Sequence, residues 1–559
     1  MGNRKGKSLG SDHKKLENKF KFNKLQSIGS PDAESDHSLN KVFIENGEIE
    51  VLGAMDDAKC IIVGRTGSGK SALIKRFEEV STGKVVRIQP ETMSLKFISN
   101  SVILNYFREL GVNLAFFYKV LWKHVFVVEI LRLYIDDDYQ KKENFFEGFK
   151  NRIAARFGKS TNAKQKAIEY VEKWSDQFWL NAEYRVKELE EEVSSKFTAA
   201  AGVKVGPFSG DIKNEAGETL KSKTEVKNKA EKVINEIQAN ELVDLIEILK
   251  RDVLDSYQRK YFIVIDDLDK EWVSAQVVYD LIAAMIEVIK EFQVFKGCKI
   301  IIALRDNLHQ LVFSAQEHRG GQREKFASLY LNLEWDEQSL KSLIDKRIKL
   351  ISNNTLAVSN VFEKAHNGIQ NGFDYVIERT FLRPRDVISF VNKIISKANS
   401  KSFFETSLIK QAEPEYSLER LHAIEDEWSE NYGEIRELWR VFYGVYNGFK
   451  IVNFNEDKFA DIYVDRKIIN SFKGEMQIIF SKWRDEQIKY KEFIQNFFYL
   501  MFRIGVIGLK KTGMDSVVFF YTKESFIVKS DFIPEAKIFV HKAFYSSLKI
   551  NTKSLEPGY

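Results

Sequence analysis

The amino-acid sequence predicts an α/β fold, in which a mostly parallel β-sheet is covered by helices. The apolar run Lys59–Val63 is followed at once by a glycine-rich loop and a helical pattern. Three more apolar runs have the length of strands, and helical periodicity separates them: Tyr261–Ile265, Lys299–Leu304 and Leu329–Leu333. Strands that alternate with helices form parallel sheets whose two faces are both buried, so we expect that architecture here.

Composition sets the broad class of the chain. Its residues are 44% apolar and 30% charged, which excludes a disordered protein. The net charge of +5 neither requires nor excludes a nucleic-acid partner. The two cysteines, Cys60 and Cys298, are too few for a disulfide framework or a zinc site. No secretory signal is recognised, and the most apolar window, Leu114–Ile135, carries too many charges to span a bilayer. We therefore expect a cytoplasmic protein without a membrane span.

Shifts in periodicity along the chain predict its domain organisation. The expected segments are a disordered tail (1–40), a first core half (41–92), a helical insertion (93–259), a second core half (260–335), a helical lid (336–400) and a helical plus winged-helix-like domain (401–559). The first core half is expected to begin with a strand-like lead-in at Lys41–Leu52. Strands predicted at Val517–Tyr521, Phe526–Val528 and Ile538–His541 suit a winged helix.

A phosphate-binding loop is the most specific motif in the sequence. The pattern G-x-x-x-x-G-K-[ST] is matched in full by Gly64, Arg65, Thr66, Gly67, Ser68, Gly69, Lys70 and Ser71. The glycines let backbone N–H groups wrap phosphates, and the helix that follows adds a favourable dipole. Lys70 can reach the β- and γ-phosphates, and Ser71 can ligate magnesium. The loop therefore predicts binding of ATP with Mg²⁺.

Two adjacent carboxylates follow the buried run Tyr261–Ile265. Asp266 and Asp267 would lie at the strand's carboxyl end, where ligands bind in open parallel sheets. Asp266 would hold the magnesium, directly or through water, and Asp267 would align the attacking water. Asp269 would cap the next helix. The alternative reading is a plain Asp-rich turn after a strand.

Three arginines are candidate phosphate contacts. Arg305 ends an apolar run near the expected γ-phosphate, and the alternative is a salt bridge to Asp306 or another neighbouring carboxylate. Arg383 and Arg385 flank Pro384 at the start of a helix, where cations are unfavourable unless they meet an anion. These two predict a nearby phosphate, and the alternative is a pair of solvated surface charges.

Together these residues resemble the AAA+/STAND-type P-loop ATPases. More narrowly, they resemble a poorly characterised bacterial P-loop ATPase family, related to the KAP and STAND groups, whose members often occur among phage-defence genes. The phrases Asp266-Asp-Leu-Asp-Lys-Glu-Trp272 and Arg383-Pro-Arg-Asp-Val carry most of the match. The resemblance runs from Lys41 to Ile550.

The resemblance implies an α/β P-loop NTPase with a five-stranded parallel core, a long helical insertion, a helical lid and a C-terminal winged-helix-like domain. Arg305 would take the sensor-1 role, and Arg383 or Arg385 the sensor-2 role. The Asp266-Asp267 pair stands where AAA+ enzymes usually carry Asp-Glu. The Asp-Asp version is typical of STAND and KAP proteins and implies slow, switch-like turnover. An arginine finger, which acts on a neighbouring subunit, would be Arg319 or Arg323, and the alternative is an ordinary surface loop.

The sequence leaves three functions open. The first is an ATP-hydrolysing conformational switch in bacterial anti-phage defence or signalling, acting as a homo-oligomer or through a separate effector protein. The second is a DNA-dependent ATPase that uses the winged helix. Residues 401–559 carry 23 Lys/Arg and 23 Asp/Glu, which weakly opposes it, although 501–550 carry eight against four. The third is a scaffold that binds ATP without turnover.

Overall fold

The chain forms two compact units. The computed structural model describes residues 20–90, 101–135, 191–200, 223–235, 240–250, 254, 257–268, 275–309, 312, 323–366, 370–521 and 527–552. One unit, called here the sheet unit, spans Glu45–Glu334. The other, the terminal unit, combines Met1–Ile44 with Trp335–Tyr559.

A five-stranded parallel sheet forms the centre of the sheet unit. Its strands are β1 (Ile61–Gly64), β2 (Lys84–Ile88), β3 (Tyr261–Ile265), β4 (Cys298–Arg305) and β5 (Tyr330–Asn332). They lie in the order β2-β3-β4-β1-β5, and every pairing is parallel. All residues of β1 and β3 are buried, as expected for a sheet covered on both faces. The predicted α/β fold is confirmed.

Eighteen α-helices lie in the part of the chain that is described. They are α1 (Leu39–Val42), α2 (Glu48–Gly53), α3 (Lys70–Val80), α4 (Val102–Glu109), α5 (Ala115–Ile135), α6 (Lys223–Asn235), α7 (Asn240–Ile248), α8 (Ala275–Phe292), α9 (Glu337–Ile351), α10 (Val358–Val361), α11 (Gly372–Ile377), α12 (Pro384–Lys397), α13 (Thr406–Tyr432), α14 (Trp439–Phe442), α15 (Ala460–Val464), α16 (Arg466–Ser471), α17 (Gly474–Arg484) and α18 (Tyr490–Ile504). Residues 191–200 are helical as well.

Part of the helical insertion belongs to the core of the sheet unit. Helix α5 packs along α8, where the indole of Trp122 donates a hydrogen bond to the carbonyl of Leu281 at 2.9 Å. Phe117, Trp122 and Phe126 are fully buried in the same apolar cluster as the sheet. Burial of its long apolar face explains why this window is so hydrophobic. Among the described residues, no helix is both long and apolar enough to cross a membrane.

The predicted strand-like lead-in at Lys41–Leu52 is wrong. The chain forms α1 and α2 there, with Glu48 and Glu50 in the first turn of α2, where acidic side chains favour a helix. Lys299 of β4 donates to the carbonyls of Val51 and Ala54 at 2.8 Å each, which satisfies the carboxyl end of α2. Tertiary contacts thus override the local strand preference of the β-branched residues.

The disordered tail predicted over residues 1–40 is wrong for residues 20–40, while residues 1–19 lie outside the described part. Phe22 and Ile28 are each 1% exposed and belong to the core of the terminal unit. Asp36 forms a buried ion pair with Arg347 of α9, with Oδ2 and Nη2 2.8 Å apart. The segment is polar on average, which led to the prediction of disorder, although a few of its side chains are buried.

A second, antiparallel sheet lies in the terminal unit. Its strands are β6 (Phe449–Lys450), β7 (Ile507–Lys510), β8 (Val518–Phe519) and β9 (Lys537–Val540), in the order β6-β9-β7-β8. β8 and β9 confirm two predicted strands. Of the strand predicted at Phe526–Val528, residue 526 lies outside the described part, and residues 527 and 528 are not in a strand. The winged helix stays a prediction.

We expect Asp36→Asn to destabilise the terminal unit by about 3 kcal/mol, because it leaves the guanidinium of Arg347 buried without its counter-ion. Chemical denaturation followed by circular dichroism measures the effect. Asp32→Asn is the control, since the contact of Asp32 with Arg385 is exposed and 4.0 Å long. It should cost less than about 1 kcal/mol. Equal losses in the two variants would contradict the anchoring role of Asp36.

Candidate nucleotide-binding site

The glycine-rich loop between β1 and α3 has the backbone geometry that its glycines permit. Gly67 and Gly69 have φ angles of +78° and +98°, in the left-handed region that favours glycine. A Cβ atom on Gly64 would lie 2.5 Å from the Oγ of Ser68, so the close approach of these two residues requires glycine. The loop is therefore tightly wound.

The amino end of α3 is suited to an anion. The helix begins at Lys70, directly after Gly69, and no side chain caps it. The N–H groups of the first turn of a helix are suited to binding an anion. The ammonium of Lys70 donates to the carbonyls of Gly64 and Arg65, at 2.8 and 3.2 Å, which holds the charge inside the loop. Arg65, Thr66 and Ser68 complete the turn, as the motif predicts.

Asp266 lies beside this loop, although it is distant in sequence. It follows β3 directly and is only 5% exposed. One of its oxygens, Oδ1, accepts the N–H of Asp267 at 2.9 Å. Its carboxylate lies close enough to the hydroxyl of Ser71 for that group to lower the pKa of Asp266. The two predicted magnesium ligands thus lie close together. A hydroxyl and a carboxylate are hard oxygen donors of the kind that Mg²⁺ prefers, so these residues fit the ion.

The electrostatics around Asp266 favour a nearby cation. Burial raises the pKa of Asp266 above its ordinary value, and the charge of Asp267 raises it further. Arg87 and the hydroxyl of Ser71 act in the opposite direction. A positive ion at this carboxylate would therefore stabilise its charged form.

Asp267 and Arg305 lie on the same edge of the sheet as the loop. Asp267 has a φ of +61°, a conformation that few residues other than Gly, Asn and Asp adopt. Arg305, the last residue of β4, is the register partner of Gly64. Since β4 lies between β1 and β3, Arg305 ends between the loop and the acidic strand. Its position suits the predicted phosphate contact, and the role itself stays a prediction.

Arg383 finds its anion within its own unit. Its guanidinium forms two hydrogen bonds, of 3.0 and 3.1 Å, with the carboxylate of Asp386, and both side chains are buried. Arg420 of α13 binds the same carboxylate at 2.6 Å. Burial alone would raise the pKa of Asp386, but the two guanidinium charges outweigh it and hold that pKa well below its usual range. The inference that a cation at this helix start needs a phosphate was therefore wrong for Arg383.

The other predicted arginines are less constrained. Arg385 is partly exposed and lies 4.0 Å from Asp32, so its sensor-2 role stays a prediction. Arg319 and Asp269 lie outside the described residues, as does the side chain of Arg323. The arginine-finger prediction therefore concerns no described side chain.

Sequence reasoning missed two charged residues at the site. Arg87 of β2 donates from Nη2 to Oδ2 of Asp266 at 3.0 Å, and Glu78 of α3 lies 3.8 Å from Arg87. The signal for Arg87 was an arginine near the carboxyl end of a strand that is apolar apart from Lys84 at its start. Glu78 follows Ser71 by two helical turns and so lies on the same face of α3. Both extend the site beyond its motifs.

The parallel sheet, the glycine loop and the acidic strand end define a P-loop fold of the α/β class. A family model described as the FunZ-associated C-terminal helical domain matches residues 338–425. The chain is also 22% identical, over 552 residues, to the putative transposon gamma-delta 80.3 kDa protein of Escherichia coli (strain K12). That match covers 96% of this chain and 68% of the relative.

Two solved structures are distantly similar. The Walker-type ATPase PABY2304 of Pyrococcus abyssi has a TM-score of 0.33 and 10% identity, covering 90% of this chain and 95% of that one. The ORC2 protein of Aeropyrum pernix, solved as ADPNP–ADP complexes, has a TM-score of 0.30 and 12% identity, covering 90% and 93%. Similarity at this level defines no function.

Proposed function

We propose that this protein binds ATP with Mg²⁺ and hydrolyses it. The observation that carries the proposal is that the glycine loop after β1 and the acidic end of β3 lie at the same edge of one parallel sheet, with Ser71 close to Asp266. A loop alone would account for phosphate binding. A loop joined to two carboxylates also accounts for a metal ligand and a group that orients water.

In this mechanism the residues of the chain position ATP and the attacking water, and they stabilise charge on the phosphates. The N–H groups at the start of α3 and the ammonium of Lys70 bind the phosphates. Ser71 and Asp266 would hold magnesium, which when bound neutralises charge on the phosphate oxygens. Asp267 accepts a hydrogen bond from water and orients it for attack. Arg305 stabilises charge on the terminal phosphate.

The finer proposal is a slow, nucleotide-dependent switch. The family resemblance supports it, since the Asp-Asp pair is typical of switch-like members and the helices α9 to α12 occupy the segment of the expected lid. The same resemblance supports a role in bacterial anti-phage defence or signalling. The switch would act through a second copy of this chain or through a separate effector protein.

We expect Lys70→Ala to weaken ATP binding by about a hundredfold, because it removes the charge that the phosphates contact. Asp267→Asn should bind ATP almost normally but lose hydrolysis by about a hundredfold or more, because the amide is a poor base. Fluorescence titration with labelled ATP and phosphate release measure the two effects. Lys75→Ala, on the same helix, is the matched control and should resemble the wild type.

Hydrolysis at the wild-type rate in Asp267→Asn would contradict the role of that carboxylate. Unchanged ATP binding in Lys70→Ala would contradict the site itself. Normal binding with no turnover in the wild-type protein would favour the ATP-binding scaffold instead.

A row of lysines supports a second candidate, a DNA-dependent ATPase. Lys537 of β9 is the register partner of both Lys510 on β7 and Lys450 on β6. Directly paired residues of antiparallel strands point to the same face, and like charges there are destabilising. The adjacent Leu509 and Ile538 are buried, so the lysines lie on the opposite, outer face. Lys450 also contacts Glu535 at 3.0 Å. A positive row across a sheet is suited to phosphates.

On this candidate function, the double variant Lys510→Gln/Lys537→Gln should bind duplex DNA more weakly. The slope of log affinity against log salt should fall by about 2, one for each lost phosphate contact. The control, Lys482→Gln/Lys491→Gln, removes the same charge from exposed positions of the same unit and should keep the wild-type slope. No DNA binding by the wild type at low salt, or equal slopes in both variants, would contradict this function.

A further inference from the structure

One guanidinium in the sheet unit bridges two carboxylates at the site. Arg87 is paired in register with Val264 of β3, which places it beside the strand that carries Asp266. Its Nη2 lies 3.0 Å from Oδ2 of Asp266, and its Nη1 lies 3.8 Å from Oε2 of Glu78. Asp266, the proposed magnesium ligand, therefore has a cationic neighbour in Arg87, which takes no part in the proposed hydrolysis mechanism.

The charges around Arg87 explain why a cation is needed there. Asp266 is almost completely buried, and the side chain of Glu78 is only 26% exposed. An ionised carboxylate that has lost most of its water is costly unless a positive charge lies close by. Arg87 supplies that charge to both carboxylates from one position on β2.

Binding of magnesium would change this balance. The ion brings two positive charges to the carboxylate of Asp266, and a guanidinium at hydrogen-bonding distance would then be repelled. Glu78 offers the guanidinium an alternative partner less than 4 Å away. Because Glu78 and Ser71 share one face of α3, the helix that supplies a metal ligand also supplies this partner. A side-chain rotation of Arg87 would be enough.

We propose that Arg87 is a positioning residue whose guanidinium has two alternative partners. It pairs with Asp266 in the metal-free site, and it rotates to pair with Glu78 when Asp266 binds magnesium. The proposal rests on the proposed function, since it requires an ATP–magnesium site at Ser71 and Asp266. In this role Arg87 is the counter-ion of Asp266 when the metal is absent, and it competes with the metal for that carboxylate. Arg87 keeps Asp266 in place and limits the repulsion between that carboxylate and ATP phosphates that arrive without metal.

The test is the magnesium dependence of ATP affinity. The quantity measured is the dissociation constant of fluorescently labelled ATP in EDTA divided by its dissociation constant in excess Mg²⁺. In Arg87→Gln this ratio should rise by about tenfold, because metal-free Asp266 then repels the phosphates and the metal has no competitor. Arg87→Lys keeps the charge and should return the ratio towards the wild-type value. Arg76 also belongs to α3, but it pairs with Glu45. Arg76→Gln should therefore leave the ratio unchanged.

A double-mutant cycle separates movement onto Glu78 from a simple sum of charges. In the wild-type background, Glu78→Gln should lower the ratio by about threefold, because magnesium must then displace a guanidinium that has no second partner. In the Arg87→Gln background the same change should alter the ratio by less than about twofold, because no guanidinium is left to move. Independent charges would give the same factor in both backgrounds, and that result would overturn the two-position proposal.

Failure of the inference and failure of the proposed function give different results. If the wild-type protein bound no ATP with or without magnesium, the proposed function would fail, and the inference with it. If the wild type bound ATP more tightly with magnesium, but Arg87→Gln and Arg76→Gln both kept the wild-type ratio, the role of Arg87 alone would be refuted.

Discussion

The shared edge of the parallel sheet, where β1 and β3 both end, is the constraint on which the site depends. It places Ser71, at the start of α3, close to Asp266, which follows β3, although a long insertion separates the two in sequence. The buried strands fix this arrangement, because β3 has apolar side chains throughout and pairs in parallel with β4, as β1 does. A loop suited to phosphate thereby lies beside oxygen donors that fit a metal ion. If the two groups lay apart, neither the metal nor the oriented water would have a defined position.

Charge placement in each unit follows one physical rule, which is that a buried charge needs a partner. In the sheet unit, Arg87 meets this need for Asp266. In the terminal unit, Asp386 meets it for both Arg383 and Arg420, in a network that is almost completely buried. The second network links the start of α12 to α13 through Asp386. Arginines that look alike in sequence thus serve a site in one unit and a core in the other.

Much of the sheet unit could be predicted from sequence, because its signals are local. A strand, a glycine loop and a helix succeed one another around Gly64–Ser71, and the apolar run before Asp266 defines a buried strand without reference to any other residue. Arg305 could be placed for the same reason. The contact partners could not be predicted in this way. Arg87 reaches Asp266 only because β2 and β3 are neighbours, and strand order is not encoded in either segment alone.

The same limit explains the errors. The segment of residues 20–40 is polar on average, yet Phe22 and Ile28 are buried by partners far along the chain. Arg383 was predicted to contact a phosphate, but its counter-ion is the carboxylate of Asp386, three residues later in the sequence. Composition and periodicity describe the average character of a segment. They do not show which single side chains are buried or which partners those side chains contact.

The most direct test of the central claim is a crystal structure with a non-hydrolysable ATP analogue and Mn²⁺, in which anomalous scattering locates the metal. We expect the metal to be bound by the Oγ of Ser71 and to lie beside the carboxylate of Asp266, with the phosphates at the start of α3. Ser71 and Asp266 should then be linked through the metal. A metal peak away from both residues, or an analogue bound outside the loop, would contradict the claim.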